Sequence, residues 1–101
     1  DARVLREAAF AHRDGDVIVE GIMDRVVLIP DGDGEPRAAE ILDFKTDDVS
    51  ADSDDLARRA ARYAPQLEAY RKGLAATYGM DPARITTRLV FVRAGVVIET
   101  G

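Results

Sequence analysis

The stretch VIVEGIMDRVVLIPDGDGEPRAAEILDFKT, residues 17–46, decides the fold. Two runs of β-branched and other apolar residues flank a glycine-rich segment at residues 31–36, a pattern typical of a β-hairpin. We predict the first strand of this hairpin at residues 16–30 and the second at about residues 37–46. The segment thus predicts two adjacent antiparallel strands at the centre of the chain.

The segments that flank this hairpin predict one more strand before it and a helix after it. Residues 3–12 form a weaker strand pattern, and Gly15 marks the turn that follows. Residues 47–55 predict an acidic loop with Asp52 or Ser53 as a helix N-cap. Apolar residues then recur at helical spacing: Leu56, Ala60, Tyr63, Leu67, Tyr70, Leu74 and Tyr78.

Two further signals complete the predicted element order. Pro65 interrupts the helical pattern, so we expect a kink or two abutting helices with Pro65 in the first turn of the second. Gly79 is expected to end the helix. Residues 84–92 and 96–99 predict a second hairpin around Gly95. The order β-β-β-α-β-β predicts an α/β fold, a mixed sheet with a helix packed on one face.

Composition excludes several classes of protein. The chain has 101 residues, the size of one small domain, with 14 Lys plus Arg, 19 Asp plus Glu and a net charge of −5. The absence of cysteine excludes disulfides, cysteine zinc sites and iron–sulfur clusters. The acidic balance argues against a domain that grips nucleic acid by charge alone. Neither a transmembrane run nor a secretory signal is visible, so we expect a cytoplasmic location and no membrane partner.

Three charged residues lie inside predicted strands, where a half-buried sheet is expected to be apolar. Asp43 and Lys45 are two apart on one strand, so they project to the same face. Asp24 and Asp43 are equally far from the centre of the turn, between Asp33 and Gly34. A symmetric hairpin therefore places the two aspartates opposite each other, with Cβ atoms about 4.5–5.5 Å apart.

Two opposed carboxylates destabilise a sheet unless something offsets their charge. A divalent cation does so, because hard cations such as Mg²⁺ prefer carboxylate oxygens. Lys45 could then hold a water molecule or neutralise charge on a phosphoryl oxygen, which is the chemistry of metal-assisted phosphodiester hydrolysis. The alternative is an ordinary salt bridge on a solvent-facing sheet, with Asp24 and Asp43 flanking Lys45. The spacing alone leaves both interpretations open.

Three segments together resemble the RecB-like branch of the PD-(D/E)xK nucleases, which lie at the C-termini of bacterial helicase–nucleases that process double-strand breaks. The segments are EGIMDR (residues 20–25), ILDFKTD (41–47) and YAPQLEAY (63–70). They occur in the family's order, with strand, strand and helix context. The resemblance implies a restriction-endonuclease-like core that hydrolyses DNA, with Mg²⁺ or Mn²⁺ as cofactor.

The resemblance also implies a role for each matching residue. Asp24 and Asp43 match the family's two metal-binding aspartates, and the backbone carbonyl of Phe44 is an additional metal ligand in such sites. Lys45 matches the catalytic lysine, which positions the attacking water and stabilises charge.

The Q-x-x-x-Y motif of this branch falls on Gln66 and Tyr70. The two residues are four apart on the helix, so both can face the site and orient the lysine, the water or the DNA strand. Other candidate ligands have no matching context. We expect His12 to be a surface residue at a strand end, Glu7 to be structural or solvent-facing, and Glu20 to share a face with Asp24 if the strand is regular.

The remaining helical side chains have ordinary interpretations. Tyr63 and Tyr78 are expected to belong to the apolar stripe that packs on the core. The basic residues of the helix predict a solvated face, with contact to a DNA phosphate or another domain as the alternative: Arg58, Arg59, Arg62, Arg71 and Lys72.

Family members often carry an upstream helix with a His or Glu metal ligand, and this chain begins after that point. We therefore expect residues 1–101 to be a single nuclease core, a C-terminal fragment of a larger, ATP-binding helicase–nuclease. The implied partners are DNA, a covalently linked helicase region and a partner subunit. The lack of cysteine matches the branch without an iron–sulfur cluster.

Two other functions remain open at this point. The domain could keep the nuclease fold and serve as a non-catalytic structural or interaction module, which metal binding would distinguish. It could also be a stand-alone RNA-acting or phage-type nuclease of the same fold, which substrate assays would distinguish.

Overall fold

The computed structural model describes residues 2–47 and 52–100, and it has the predicted element order. The elements are β1 (Arg3–Asp14), β2 (Val17–Pro30), β3 (Pro36–Lys45), α1 (Ser53–Tyr78), a 3-10 turn (Pro82–Arg84), β4 (Ile85–Phe91) and β5 (Val96–Thr100). The predicted α/β architecture is therefore confirmed, with boundaries that differ from the sequence pattern by at most three residues.

The five strands form one mixed sheet in the order β1-β2-β3-β4-β5. Sequential neighbours are antiparallel, except for the central pair β3 and β4, which is parallel. A parallel pair needs a long crossover connection, and α1 supplies it. The crossover places α1 against one face of the sheet.

The β2–β3 hairpin has the predicted symmetric register. Arg25 pairs with Leu42, and the pairing continues in step until Ile29 pairs with Ala38. The register shifts only at Pro30, next to the turn. This register brings Asp24 of β2 toward Asp43 of β3, as the sequence predicts.

The α1 helix begins three residues before the predicted Leu56 and ends where predicted. The Asp52 carboxylate accepts a hydrogen bond from the backbone N of Asp54 at 3.2 Å, so Asp52 is the N-cap. Gly79 adopts a left-handed conformation with φ 62° and caps the C-terminus. Residues 48–51, within the predicted acidic loop, lie outside the described residues.

The predicted pair of abutting helices at Pro65 is wrong, whereas a kink at this proline stays a prediction. The α1 element is one helix of 26 residues that continues through this proline. Proline removes a backbone donor from the preceding turn, and Ala61 loses its partner in that turn. Both residues are exposed, so water can satisfy the freed carbonyl of Ala61. Packing of the apolar stripe against the sheet then outweighs the local penalty.

The core fills the space between α1 and the sheet face that it covers. Its buried apolar residues are Phe10, Met23, Val26, Leu28, Ala39, Ile41, Leu56, Leu67, Tyr70, Leu74, Ala75, Met80, Ile85, Leu89 and Phe91. The other face of the sheet exposes apolar side chains, among them Ile18 at 61%, Ile22 at 59% and Val97 at 59% exposure. No helix in the described ranges has the apolar character of a membrane span.

The alternation of β2 changes phase in the middle of the strand. Met23 and Val26 are both buried although they are three residues apart, which a regular strand does not allow. At the same level the pairing of β1 with β2 omits Glu7 and Asp24. Glu7 has a φ of 51°, which is uncommon for a residue with a side chain. Asp24 therefore lies where the pairing with β1 is interrupted and the alternation of buried and exposed residues in β2 changes.

Candidate active site

The C-terminal end of β3 carries the two charged residues that the sequence places on one face. Asp43 is buried, with 4% exposure, and the Lys45 Nζ atom lies 3.0 Å from its Oδ2 atom. The Lys45 ammonium is thus an ion-pair partner of Asp43 Oδ2, but its angle is poor for a hydrogen bond. Of the alternative salt bridge on a solvent-facing sheet, only the Asp43–Lys45 pair is present, and this pair is largely buried.

Asp24 approaches Asp43 from β2, at the point where the β2–β3 ladder ends. The last regular pair joins Arg25 to Leu42, and continuing the same register brings Asp24 opposite Asp43. There the Asp24 Oδ2 atom accepts a hydrogen bond from the backbone N of Phe44 at 2.9 Å. A side-chain oxygen thus replaces a ladder carbonyl, and this holds the two carboxyl groups side by side.

The electrostatics of the pair favour a bound positive charge. Burial raises the pKa of Asp43, and the adjacent Asp24 raises it further, while Lys45 opposes the increase. A raised pKa means that the ionised form of Asp43 is destabilised in this environment. The nearby lysine alone does not offset the burial and the second carboxylate.

Lys45 is held by contacts from α1 as well as from β3. Its Nζ atom donates a hydrogen bond to Gln66 Oε1 at 3.0 Å and lies 4.2 Å from the centroid of the Tyr63 ring. The Tyr63 hydroxyl in turn donates to Asp47 Oδ2 at 2.7 Å. The ammonium group is therefore fixed in position by a carboxylate, an amide and an aromatic face.

Tyr70 lies one helical turn from Gln66 and faces inward. Its ring packs edge-on against Phe10, with centroids 5.3 Å apart. Burial raises the pKa of Tyr70, and the charges of Asp43 and Asp24 raise it further. The phenol therefore stays neutral at physiological pH and lies within electrostatic reach of the carboxylate pair.

The structure brings the five predicted side chains together in one region, although they come from three elements. Asp43 and Lys45 come from β3, Asp24 from β2, and Gln66 and Tyr70 from α1. Gln66 is exposed and Tyr70 is buried, so Gln66 lies at the solvent side of this region and Tyr70 at its core side. The Phe44 backbone N contacts Asp24, whereas a role for its carbonyl stays a prediction.

Sequence reasoning missed the contribution of Tyr63 and Asp47. Tyr63 does pack against the core as expected, but its ring also supports Lys45. Hydrogen bonding to Asp47 raises the pKa of Tyr63 and lowers the pKa of Asp47. The available signal was spacing, since Tyr63 precedes Gln66 by three residues and shares its side of the helix.

The three other candidate ligands, Glu20, His12 and Glu7, differ in their exposure. Glu20 is exposed, and the phase change in β2 removes the regular spacing that would align it with Asp24. The expectation of a surface His12 is wrong: it is half-buried, its Nε2 atom is covered, and its ring lies 6.3 Å from Phe10. Glu7 is solvent-exposed as expected, and it lines a cavity with Asp24.

The basic residues of α1 are largely engaged within the domain. Arg58 pairs with Asp55, and Arg59 pairs with Asp47. Arg71 is nearly buried, pairs with Glu68 and also donates to Thr87 Oγ1 at 3.1 Å. The solvated face that the sequence predicts is thus partly a set of ion pairs. Within the described part of the chain, Arg62 and Lys72 are exposed and form no ion pair.

The donor set fits a hard divalent cation. Asp43 Oδ2 is a buried carboxylate oxygen without a hydrogen-bond partner, and a second carboxylate lies beside it. Such oxygens suit Mg²⁺ or Mn²⁺. Within residues 2–47 and 52–100 no group of three or more His, Cys, Asp or Glu side chains comes together as a metal site. Backbone oxygen, water and substrate oxygens would have to complete the coordination, as Mg²⁺ commonly allows.

A comparison with family models bears on this geometry. The model of the PD-(D/E)XK nuclease superfamily matches residues 2–99 of the chain. The match covers β1 to β4, α1, β5 except its last residue, and each of the candidate site residues. No curated protein matches the chain.

Proposed function

The chain belongs to the PD-(D/E)XK nuclease superfamily, and on this premise we propose that it hydrolyses DNA phosphodiester bonds with Mg²⁺ or Mn²⁺ as cofactor. The observation that carries the proposal is the convergence of Asp24, Asp43 and Lys45, with Gln66 on the lysine. Two adjacent carboxylates, one of them buried, next to a fixed ammonium group fit phosphoryl transfer better than a structural salt bridge.

In this proposal each residue has a separate task. Asp24 and Asp43, together with the Phe44 carbonyl, hold the cation, which would polarise the phosphoryl group and lower the pKa of a bound water. The Lys45 ammonium has three donors, and it directs one to Gln66. Its charge and its other N–H donors stabilise the negative charge that develops on the phosphoryl oxygen, or orient the attacking water.

The residues of α1 support this chemistry by position. Gln66 and Tyr63 hold Lys45 in place before the substrate binds, so little reorganisation is needed. Tyr70 is a neutral donor beside the carboxylate pair and can orient the DNA strand or the water. We further propose the biological setting that the motifs imply: a RecB-like nuclease domain of a longer, cytoplasmic helicase–nuclease that acts in double-strand-break repair, with a partner subunit.

The direct test is cleavage of labelled single-stranded and double-stranded DNA in Mg²⁺ or Mn²⁺. We expect Lys45→Ala to lower the cleavage rate by about 10²–10³-fold, since it removes a charge that acts on the transition state. The matched control is Lys72→Ala, which removes the chain's other lysine from an exposed position on α1. Equal rates for the two variants, or no metal-dependent cleavage by the wild type, would contradict the proposal.

A second candidate is a non-catalytic module that keeps the nuclease fold. It is favoured by the small number of side-chain ligands, since only two carboxylates meet at the site in the described residues. Calorimetric titration with Mn²⁺ separates the two candidates. Heat that disappears in Asp24→Asn and Asp43→Asn supports the nuclease, and no heat from the wild type supports the module. Cleavage of RNA but not DNA would point to the RNA-acting nuclease.

A further inference from the structure

A cavity of about 430 Å³ opens beside Asp24, between β1, β2 and the end of β3. Arg6, Glu7, Asp24, Arg25 and Phe44 line it. The cavity thus contains one of the proposed metal-binding carboxylates and two guanidinium groups that have no role in the chemistry described so far. Leu5 and Val26, the neighbours of the two arginines, face the core, so the arginines and the cavity lie on the sheet face opposite α1.

The two arginines are directly opposed in the β1–β2 ladder. Arg6 pairs with Arg25 across the strands, so both side chains project from the same face. Directly opposed like charges destabilise a sheet. Neither guanidinium forms an ion pair or a hydrogen bond in the part of the chain that the structure describes, whereas five other arginines do form ion pairs: Arg37, Arg58, Arg59, Arg71 and Arg88.

Arg25 is also held in a defined position. Its guanidinium carbon lies 5.0 Å from the centroid of the Phe44 ring, and its Nε atom is covered and without a partner. The backbone of Phe44 is in turn fixed by its hydrogen bond to Asp24. Stacking on the ring limits the motion of the guanidinium plane, so the terminal nitrogens of Arg25 are organised before any ligand binds.

We propose that Arg6 and Arg25 form a binding site for a backbone phosphate of the DNA strand, on the sheet face opposite α1 and next to the Asp24 side of the site. The inference rests on the proposed nuclease function and adds the residues that hold the substrate. A phosphate accepts bidentate hydrogen bonds from guanidinium groups and removes their mutual repulsion. The neighbouring carboxylates of Glu7 and Asp24 give the cavity a negative part as well, which suits a phosphodiester that binds together with a cation.

The site also resolves the contrast between an acidic chain and a nucleic-acid substrate. The net charge of −5 provides no general attraction for DNA. Two unpaired arginines facing each other provide a local attraction for one phosphate of the strand. Binding should therefore be weak overall, and it should depend strongly on these two residues.

The test measures binding separately from cleavage. All variants carry Lys45→Ala, so that bound DNA stays intact, and a fluorescent single-stranded oligonucleotide with a 5′-hydroxyl is titrated in Mg²⁺ at several salt concentrations. We expect Arg6→Gln and Arg25→Gln each to weaken binding by about tenfold, as for loss of a charged hydrogen bond. Each should also reduce the magnitude of the slope of log K against log salt by about 0.7.

The matched control is Arg84→Gln. Arg84 is exposed and directly precedes Ile85. Ile85 pairs with Ala39, toward the end of β3 that is far from Lys45. Removal of this charge should leave the slope unchanged. Arg25→Lys keeps the charge without the planar group, so it should weaken binding less than Arg25→Gln. Circular dichroism verifies the fold, and Arg6, which is exposed, provides a variant with little risk to folding.

Several outcomes would overturn the phosphate site. Arg6→Gln and Arg25→Gln could bind with the same affinity and slope as Arg84→Gln, or the parent protein could fail to bind DNA. An effect seen only with a 5′-phosphorylated oligonucleotide would assign the site to a terminal phosphate and not to the backbone. The proposed catalysis is judged independently: arginine-dependent binding without cleavage by the Lys45 protein refutes only the hydrolysis, and cleavage with arginine-independent binding refutes only this site.

Discussion

At the scale of single residues, Asp43 is the most informative position. It is the carboxylate that the fold buries most completely among the site residues, and burial raises its pKa. A protein selected for stability alone would place an apolar or neutral residue at such a position. The retained charge is therefore consistent with a functional requirement that is met at the expense of stability.

The raised pKa of Asp43 predicts a pH-dependent stability difference in metal-free protein. The ionised form is disfavoured only in the folded state, so Asp43 destabilises the protein near neutral pH. This cost vanishes once the group is protonated, below its ordinary value of 3.8. We expect Asp43→Asn to raise stability by about 1 kcal/mol at neutral pH, which corresponds to about 4–8 °C in Tm.

Thermal unfolding in EDTA between pH 4.5 and pH 7.5 measures this difference. The gain should shrink as the pH falls, because wild-type Asp43 then takes up the proton. Asp33→Asn, in the exposed β2–β3 turn, is the control for loss of a carboxylate. A lower stability of Asp43→Asn at neutral pH would show that the ion pair with Lys45 outweighs the burial.

Tyr63 allows a second prediction at the residue scale, because its ring and its hydroxyl make separate contacts. Tyr63→Phe keeps the ring beneath Lys45 and loses only the bond to Asp47, so the cleavage rate should stay within about threefold. Tyr63→Leu loses both contacts and should lower the rate about tenfold. Initial rates on labelled DNA measure the two effects, with Tyr78→Leu as a control at the far end of α1. Equal losses in the two Tyr63 variants would mean that the hydroxyl is what positions the lysine.

At the scale of elements, α1 connects the two central strands and also supplies half of the site. It packs against the sheet closely enough for an aromatic ring to lie between backbones: Phe10 of β1 contacts Gly21 of β2 and Gly73 of α1. A Cβ atom added at Gly21 would lie 2.7 Å from that ring, and one added at Gly73 would collide with it. The two glycines let Phe10 reach Tyr70, and so they influence the site from a distance.

This packing predicts that Gly73→Ala destabilises the protein although alanine favours helices. The gain in helix propensity is about 1 kcal/mol. The collision with the Phe10 ring costs about 1–3 kcal/mol by overpacking, so the net loss should be about 1 kcal/mol. Urea unfolding measures the change. In a Phe10→Leu background the same substitution should become neutral or stabilising. A stabilising effect of Gly73→Ala in the wild-type background would contradict the tight packing.

At the scale of the whole molecule, the mixed sheet brings the middle of β2 and the C-terminal end of β3 next to one face of α1. The carboxylate pair and Lys45 then lie at one edge of the core, where α1 covers them from one side. The opposite face of the sheet carries Arg6, Arg25 and the apolar residues Ile18 and Ile22. Binding of a cation at this edge would therefore connect separate elements and stabilise the fold as a unit.

We accordingly expect Mn²⁺ to stabilise the whole domain. At a free concentration ten times its Kd, a ligand that binds only the folded state contributes about 1.4 kcal/mol, or about 6–11 °C in Tm for a domain of this size. Differential scanning calorimetry measures the shift. Asp24→Asn should lose it, whereas Asp33→Asn should keep it. An identical shift in both variants would indicate that the metal binds elsewhere.

The sequence by itself determined the element order and the candidate residues for the proposed chemistry. The periodicity of strands and helix is local, and it predicted the five strands and α1, but not the 3-10 turn. The symmetry of the glycine-rich turn predicted the hairpin register, and Gly79 predicted the end of α1. Three short motifs that resemble a nuclease family pointed to Asp24, Asp43, Lys45, Gln66 and Tyr70, whose roles stay predictions. Each of these signals lies within a few residues along the chain, which is why no tertiary information was needed to read them.

Only the tertiary structure decided which of these residues are in contact, and where packing outweighs a local sequence preference. Packing against the sheet kept α1 continuous through Pro65, because burial of a long apolar stripe outweighs one missing hydrogen bond. The phase change in β2 separated Glu20 from the site, and it depends on the neighbouring strand β1. The ring of Tyr63 beneath Lys45 and the opposed pair Arg6 and Arg25 join residues that are distant in sequence. Such contacts depend on the mutual arrangement of elements, and only the folded chain specifies that arrangement.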